Sequence, residues 1–557
     1  MKLIVTTNSE KARLIAKALD VPFNVEYNFY ENNEYQIISM GYINFKINNN
    51  GSNLPASPNE FNVEINDTCQ EANLLKKLFN EADEIIYASD MSYEKEFIFH
   101  NLYSYFEEDK PIKRLFITSD ERKKIRLSFY SLKELMLYDN HYQASKAKKI
   151  SDWILGVYAS EKLRILAGRV SNPTLALICK KYNEYTTFEQ KPYYRCKLSL
   201  NINGEIIENV YDEEYYSYEE AENKALILSE TIEVLDITKE IIKEPAPLPF
   251  NLSALQESAE KLYGYTAEET LKIARELYYN KGMISNPYTQ YRCLTKTKYE
   301  EIKVKAKQLK SYIGDEIFAD CCDCVHERAN DASVKKGIDK YAIIPTFDIK
   351  TGLDERCSNI YKLICRQTLM AVLYPCEKEK TTVTFKQDNN IFKIEHFTII
   401  KDAPTKKYNW RLLSDTNKTE TKVPNIKVGD ICKISDYAIE NVNIDAPELY
   451  TESTLYKEME NSGIGTNNTR TDILEKLRNK KYITTCEEGK LIPTEDGLYI
   501  YNLIKDTDIA TSELTKTLEE KYKLISEGEL DADEYYKWIV EFVEKRLEEI
   551  LSRARTL

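Results

Sequence analysis

Two stretches of the chain, 192–245 and 380–445, alternate β-branched and aromatic residues with polar ones, as in Tyr194-Arg195-Cys196-Lys197-Leu198-Ser199-Leu200 and Lys380-Thr381-Thr382-Val383-Thr384-Phe385. A period of two marks antiparallel strands with one buried face. Between these stretches lies a block, 250–375, that reads as mostly helical. Two similar β segments on either side of a helical block predict one β domain interrupted by an inserted domain. Pro245, Pro247 and Pro249 stand at the junction, where a hinge into the insert is expected.

The N-terminal part follows a different rule. Leu3-Ile4-Val5 predicts a strand, and Ala12, Leu14, Ile15 and Leu19 line one side of a helix after it. Glu84-Ile85-Ile86-Tyr87-Ala88-Ser89-Asp90 reads as a buried strand ending in a carboxylate, followed by a helix with Phe97, Ile98 and Leu102 at helical spacing. Lys113-Arg114-Leu115-Phe116-Ile117 is a further strand, with a helix beyond Asp120. Strands that alternate with helices predict a parallel sheet with its ligand site at the carboxyl ends of the strands. Asp90 stands at such an end, placed either for function or to cap the next helix.

From 140 to 190 the pattern is helical, with Ala144, Ala147, Ile150, Ile154 and Val157 three or four residues apart. In LAGRVSNPTLALI, Asn172 is expected as the N-cap and Pro173 in the first turn, with Arg169 just ahead. That arrangement suits a phosphate at a helix N-terminus, and equally an ordinary capped helix with a solvated arginine. The block 447–557 is helical and opens with Gly463-Ile464-Gly465-Thr466-Asn467-Asn468-Thr469-Arg470, whose glycines can present backbone N–H groups to an anion.

Composition narrows the class. The 557 residues suffice for three or four domains at about 150 residues each. With 42% hydrophobic and 30% charged residues, and only 16 Gly and 16 Pro, the chain is neither disordered nor fibrous. No apolar run approaches the ~18 residues of a membrane span, and the first residues turn polar too soon for a signal peptide, so a soluble intracellular chain is expected. The 12 Cys are scattered and expected as thiols. Cys321, Cys322, Cys324 and His326 cluster, but adjacent cysteines diverge, which argues against zinc. The net charge of −14 counts against a protein that coats duplex DNA and leaves room only for a local basic surface.

Four segments in sequence order resemble one known family, the type IA DNA topoisomerases, in their topoisomerase III-like branch. They are LAGRVSNPTLALI, the stretch from Asn251 to Ser285, DKYAIIPT from Asp339, and YTESTLYKEMENSGIGTNNTRTDILEKL from Tyr450. The resemblance implies a multidomain α/β plus α+β fold: a toroid with a TOPRIM domain at 1–120, a helical base at 121–190 and 447–557, a β arch at 191–248 and 378–446, and a helical lid at 249–377. In that family a tyrosine phenolate attacks a DNA phosphodiester to give a 5′-phosphotyrosine. An N-terminal glutamate moves protons, an Asp-x-Asp pair binds Mg²⁺, and an Arg and a Lys stabilise charge on the phosphate.

Carried over residue by residue, the resemblance breaks at these positions. GMISNPYTQYRCL puts Asn286 at the nucleophile, Tyr288 at the charge-stabilising arginine and Gln290 at an acidic residue. Thr7 and Asn8 replace the N-terminal Glu-Lys pair. SDMSYEKE keeps Asp90, Glu94 and Glu96 but has Ser92 at the second metal aspartate and Tyr93 at an arginine. An amide is not a nucleophile toward phosphorus, and Tyr288 lies ~6.6 Å further along an extended segment, where ~1 Å of misplacement costs about 10²-fold in rate.

The positions associated with gripping DNA are better kept: Arg169, Thr174, Gly463, Gly465, Thr466, Thr469 and Arg470, with Lys340 at the family's histidine. The 41 Tyr offer surfaces for stacking bases. The resemblance therefore implies a cytoplasmic monomer that binds single-stranded DNA or unwound duplex, with strand cleavage and passage impaired or lost. It would carry at most a weakened Mg²⁺ site at Asp90, Glu94 and Glu96, use no ATP, hold no zinc, and leave a protein partner open. One alternative is an active enzyme with a relocated tyrosine, Tyr288 or Tyr291. The other is a scaffold that has given up DNA, which the acidic charge favours.

Overall fold

The computed structural model of the chain describes residues 1–41, 43–48, 54–65, 70–89, 92–106, 110–117, 122–202, 204–211, 214–226, 228–244, 247–313, 341–350, 352–372, 376–388, 390–401 and 425–556. Asp90, Lys340 and the Cys321–His326 cluster lie outside the described residues. The chain divides into two units: Met1–Cys179 with Met459–Thr484 and Pro493–Leu557, and Lys180–Glu458 with Thr485–Ile492.

The first unit is built on the apolar run at the N-terminus. Lys2–Thr6 lies parallel between Tyr35–Ser39 and Glu84–Ser89, with Ile4 opposite both Ile37 and Ile86. Leu3, Ile4 and Val5 are all fully buried, as expected of a central strand covered on both faces. Ile112–Phe116 continues the sheet in parallel beyond Glu84–Ser89. Lys133–Glu134 adds an antiparallel edge on that side, and Phe29–Glu31 and Phe23–Asn24 do so on the other. A domain ending at 120 would cut this sheet. The seventh strand escapes a pattern-based reading because both its residues are exposed and charged, and carry no apolar signal.

Helix Ser9–Leu19 begins where the Asn8 side chain accepts the Lys11 N–H at 2.9 Å and stops at Asp20, which takes a left-handed φ of 59°. Aromatic contacts join the sheet to the helical part of the same unit. His100 stacks on Tyr142 at 4.5 Å, and Phe61 meets Trp153 edge-on at 5.5 Å. Within the helices, Ser151 Oγ and Tyr535 OH share a buried hydrogen bond of 2.7 Å, and Tyr158 OH donates to Glu544. Helix Ser171–Thr186 starts two residues before the position expected from Asn172 as N-cap. The Asn172 side chain instead reaches back to accept the Gly168 N–H at 2.6 Å, and Gly168 holds a φ of 151° that favours glycine.

The second unit contains a closed barrel whose strands run in the order Tyr193–Ile202, Glu205–Tyr211, Asn390–Lys401, Cys376–Gln387, Thr231–Glu244 and Ile431–Val442, with the last paired to the first. Strands from both sides of the helical block thus share one interior, where Leu198, Leu200, Val234, Val383, Phe385 and Phe392 pack together. Closure removes the sheet edges that an open pair of hairpins would expose.

The inserted block packs helices Leu252–Tyr263, Ala267–Arg275, Lys296–Ile313 and Glu355–Met370 around their own core, including Leu255, Leu277, Ile360, Tyr361 and Ile364. Thr266 and Glu269 form a reciprocal capping box at the second of these helices. No helix among the described residues is long and apolar enough to cross a membrane.

Gly497 offers a check on the first unit. A methyl group added there would lie 2.0 Å from the Tyr482 carbonyl oxygen, which is held in place by accepting the Thr494 N–H at 3.0 Å. Gly497→Ala is expected to cost at least about 1–3 kcal/mol, visible as a lower urea midpoint with an unchanged m-value.

Candidate functional site

At the end of strand Glu84–Ser89 the chain turns into helix Tyr93–Phe106, so Ser92, Glu94 and Glu96 occupy its approach and first turn. A guanidinium lies beneath this corner. Arg114, on the neighbouring strand, is fully buried; it donates to Ser89 Oγ at 2.9 Å and to the Glu96 carboxylate. Its charge also sits 4.2 Å above the Tyr87 ring and 4.9 Å from that of Phe116. A buried charge requires such compensation, and here Glu96 supplies it. Successive helical positions turn by about 100°, so Glu94 and Glu96 point apart: Glu94 is exposed and Glu96 buried.

Of the described residues here, Glu94 alone offers an open carboxylate to a Mg²⁺ ion. A hard dication takes several open oxygen ligands, but Ser92 is neutral and Glu96 faces inward to Arg114. The expected cluster of Asp90, Glu94 and Glu96 is therefore corrected at Glu96, whose carboxylate is half of a buried ion pair. His100, one turn along, lies 3.8 Å from Glu96. Burial and then the Arg114 charge push its imidazole down to about 4, so it is neutral near pH 7. Upstream, Thr7 is buried and Asn8 serves as the helix cap, so neither presents an acid or a cation. Among the described residues the group able to gather around an ion is Glu276, Asp354 and Cys357. There Asp354 caps a helix by accepting the Cys357 N–H at 2.7 Å, and burial together with the two carboxylates raises the thiol to about 12, leaving it protonated.

The two segments expected to grip DNA do come together, in the first unit. Gly463 and Gly465 take left-handed φ values of 69° and 65°, and a methyl on Gly465 would lie 2.8 Å from Thr469 Oγ1 and 3.0 Å from Val170 Cγ1. The loop thus lies directly against the residue that follows Arg169. The Thr466 N–H donates to Thr469 Oγ1 at 2.7 Å at the start of helix Asn467–Asn479.

The two arginines, however, turn inward. Arg169 bonds the Asp152 carboxylate and, at 3.1 Å, Glu519, while its carbonyl accepts the Thr515 hydroxyl. It ties helices Asp139–Trp153 and Glu513–Glu527 to the start of Ser171–Thr186. Arg470 is 3% exposed and donates to the carbonyls of Ile464 at 3.0 Å and Gly465 at 2.9 Å, bracing the loop from beneath. Thr174 is fully buried, with its hydroxyl on the Val170 carbonyl. Arg169, Thr174 and Arg470 therefore shape this loop pair in the structure, where the sequence suggested direct phosphate contacts. A sequence pattern does not reveal that acids from other helices, or the loop's own carbonyls, meet these charges first.

In the inserted block, Asn286 builds a turn. Its side-chain oxygen accepts the Tyr288 N–H at 2.8 Å across Pro287, an Asx turn that proline pre-shapes. The loop is stitched to residues 341–345: the Ser285 N–H donates to the Ile344 carbonyl at 2.8 Å, the Ile344 N–H to Ser285 Oγ at 2.9 Å, and Thr289 Oγ1 to the Tyr341 carbonyl at 2.8 Å. The Tyr288 hydroxyl accepts a hydrogen bond from Arg275 Nε, and the Arg275 guanidinium lies 5.4 Å from the Tyr288 ring. Arg275 was missed in the sequence because it belongs to a helix whose alternation predicts only an exposed face.

A family model described as DNA topoisomerase matches residues 136–537. The DNA topoisomerase 3 of Staphylococcus epidermidis is 28% identical over 540 residues, covering 90% of this chain and 74% of that protein. That of Staphylococcus saprophyticus is 26% identical, covering 98% of this chain and 82% of the relative. The DNA topoisomerase 1 of Methanocaldococcus jannaschii is 28% identical over 495 residues. Among solved structures, full-length topoisomerase I from Thermotoga maritima aligns with a TM-score of 0.70 at 21% identity, over 98% of this chain and 90% of that one, and so shares its fold.

Two measurements check the buried corner. Arg114→Met leaves Glu96 buried without a counter-charge and should cost about 3–5 kcal/mol in urea unfolding, with part of the loss restored in Arg114→Met/Glu96→Leu. His100, whose folded value is depressed to about 4 from 6.5, makes the unfolded chain bind the extra proton first. Stability is therefore lost as pH falls below about 6.5, with a slope approaching 1.4 kcal/mol per unit. His100→Gln should flatten that limb between about pH 6.5 and 5.

Proposed function

The chain belongs to the type IA DNA topoisomerase family, and from that premise we propose that it holds single-stranded DNA while cutting it poorly or not at all. The observation that carries this reading is the use made of the positions where the family does chemistry. Asn286 spends its carbonyl oxygen on an Asx turn, Asn8 caps a helix, and Glu96 neutralises Arg114. An amide does not attack phosphorus, and a carboxylate held by a buried guanidinium is not a metal ligand. Removing the nucleophile, the acid–base group and a metal carboxylate together forfeits several contributions of about 2–4 kcal/mol each.

The grip rests on different features. The glycine loop 463–466 leads into the N-terminus of helix Asn467–Asn479 and is braced internally by Arg470. Such a terminus offers N–H groups and a positive dipole end to a phosphate. In this reading Arg169 and Arg470 keep the loop pair in shape, the partner is single-stranded DNA or unwound duplex bound by a monomer, any Mg²⁺ site is weakened, and ATP and zinc take no part.

A second reading has one observation in its favour. The Tyr288 hydroxyl has a guanidinium beside it, a group that can also take the oxygens of a phosphate. Tyr288 would then be a relocated nucleophile.

A labelled oligonucleotide incubated with the protein and Mg²⁺, then resolved on native and denaturing gels, separates the readings. We expect salt-dependent binding, no tyrosine-linked band, and no relaxation of negatively supercoiled plasmid. A covalent adduct lost in Tyr288→Phe would establish the second reading, and absence of any binding would leave a scaffold that has abandoned DNA.

A further inference from the structure

We infer that Arg275 is a phosphate-contacting residue of the inserted helical block, held ready by Tyr288 and flanked by Lys272 and Tyr279, and that this strip binds the backbone of single-stranded DNA. The inference rests on the DNA-binding reading above and adds to it a contact that no sequence motif marks.

The argument starts from the helix. Ala267–Arg275 runs into the π-helical turn Glu276–Asn280, and its inner face is anchored by Leu271, Ala274 and Leu277, all at least 95% buried. Lys272, Arg275 and Tyr279 fall on the opposite side and are exposed, Tyr279 at 63%. Several cations elsewhere in the block are matched: Lys261 with Glu257, Lys281 with Glu276, Lys298 and Lys305 with Glu301, Lys303 with Glu300, and Arg356 with Glu269. Lys272 and Arg275 make no ion pair with any described carboxylate. In a chain of net charge −14 with 91 acidic residues, two adjacent cations left unmatched on one helical face form a local site for an anion.

The pairing with Tyr288 gives the site its geometry. Arg275 commits Nε to the phenolic oxygen, and the Asx turn at Asn286 fixes the backbone from which that ring projects. A guanidinium held at Nε presents its two Nη groups as a planar fork, the shape that matches two phosphate oxygens. Tyr279, on the next turn, offers a ring face on which a base stacks whatever its identity. The resemblance places the family's charge-stabilising arginine at position 288, so Arg275 returns a cation to the same loop from a different element. Lys272, Arg275 and Tyr288 thus form a non-covalent contact, with Tyr288 a positioning residue.

The test uses the full chain and a fluorescein-labelled oligothymidylate of about 16 nucleotides, followed by anisotropy between about 50 and 200 mM salt. Arg275→Gln should weaken binding and lower the slope of log affinity against log salt by about 0.7. Arg275→Lys should keep the slope and lose part of the affinity, because the charge remains without the fork. Tyr288→Phe should weaken binding while preserving the slope. Tyr279→Ala should cost about tenfold with the slope unchanged. Arg555→Gln, an exposed arginine at the C-terminal end, serves as the control and should match the parent.

If the parent chain binds and Arg275→Gln matches it in affinity and slope, the inference is overturned while the DNA-binding reading stands. If the parent does not bind, both fall. A tyrosyl adduct that requires Tyr288 would replace the non-covalent contact by a covalent one and overturn the assignment. Unchanged thermal melting of each variant ties the outcome to binding.

Discussion

A guanidinium taken out of water must find its counter-charge or its acceptors inside the protein, and in this chain that constraint sets the direction of three arginines. Arg114 takes Glu96, Arg169 takes Asp152 and Glu519, and Arg470 takes the carbonyls of its own loop. Each solution braces a junction: the strand end against the helix that follows, three helices against one another, and the glycine loop against its helix. In each case the charge is spent on the protein itself.

Short polar side chains settle local structure in the same way: Asn8 satisfies an orphan N–H at a helix start, Asn286 closes a proline turn, and Thr7 is packed in the interior. The barrel and its insert show the complementary point. Strands separated by more than a hundred residues of chain share one sealed interior, so the inserted block can vary on its outer face, where Lys272, Arg275 and Tyr279 lie, without disturbing either core.

Much of the architecture was readable from pattern. The buried run Leu3-Ile4-Val5, the strand at 84–89, and the split β domain all follow from periodicity that has only one packing solution. The short edge strand Lys133–Glu134 was not readable, because two exposed charged residues pair through backbone alone. Nor was the role of Asn172, whose side chain bonds backward to Gly168 where capping rules direct it forward. The two loops expected to grip DNA stand out as motifs, and the structure sets Gly465 against Val170, but the arginines within them bond inward to the protein.

By itself, the sequence determined the family and the order of most strands and helices, since these depend on residue identity and local periodicity alone. Only the tertiary structure decided the direction each charged side chain takes. Whether an arginine meets solvent or an acid depends on residues hundreds of positions away, as Arg169 and Glu519 show, and a one-dimensional pattern holds no record of that distance.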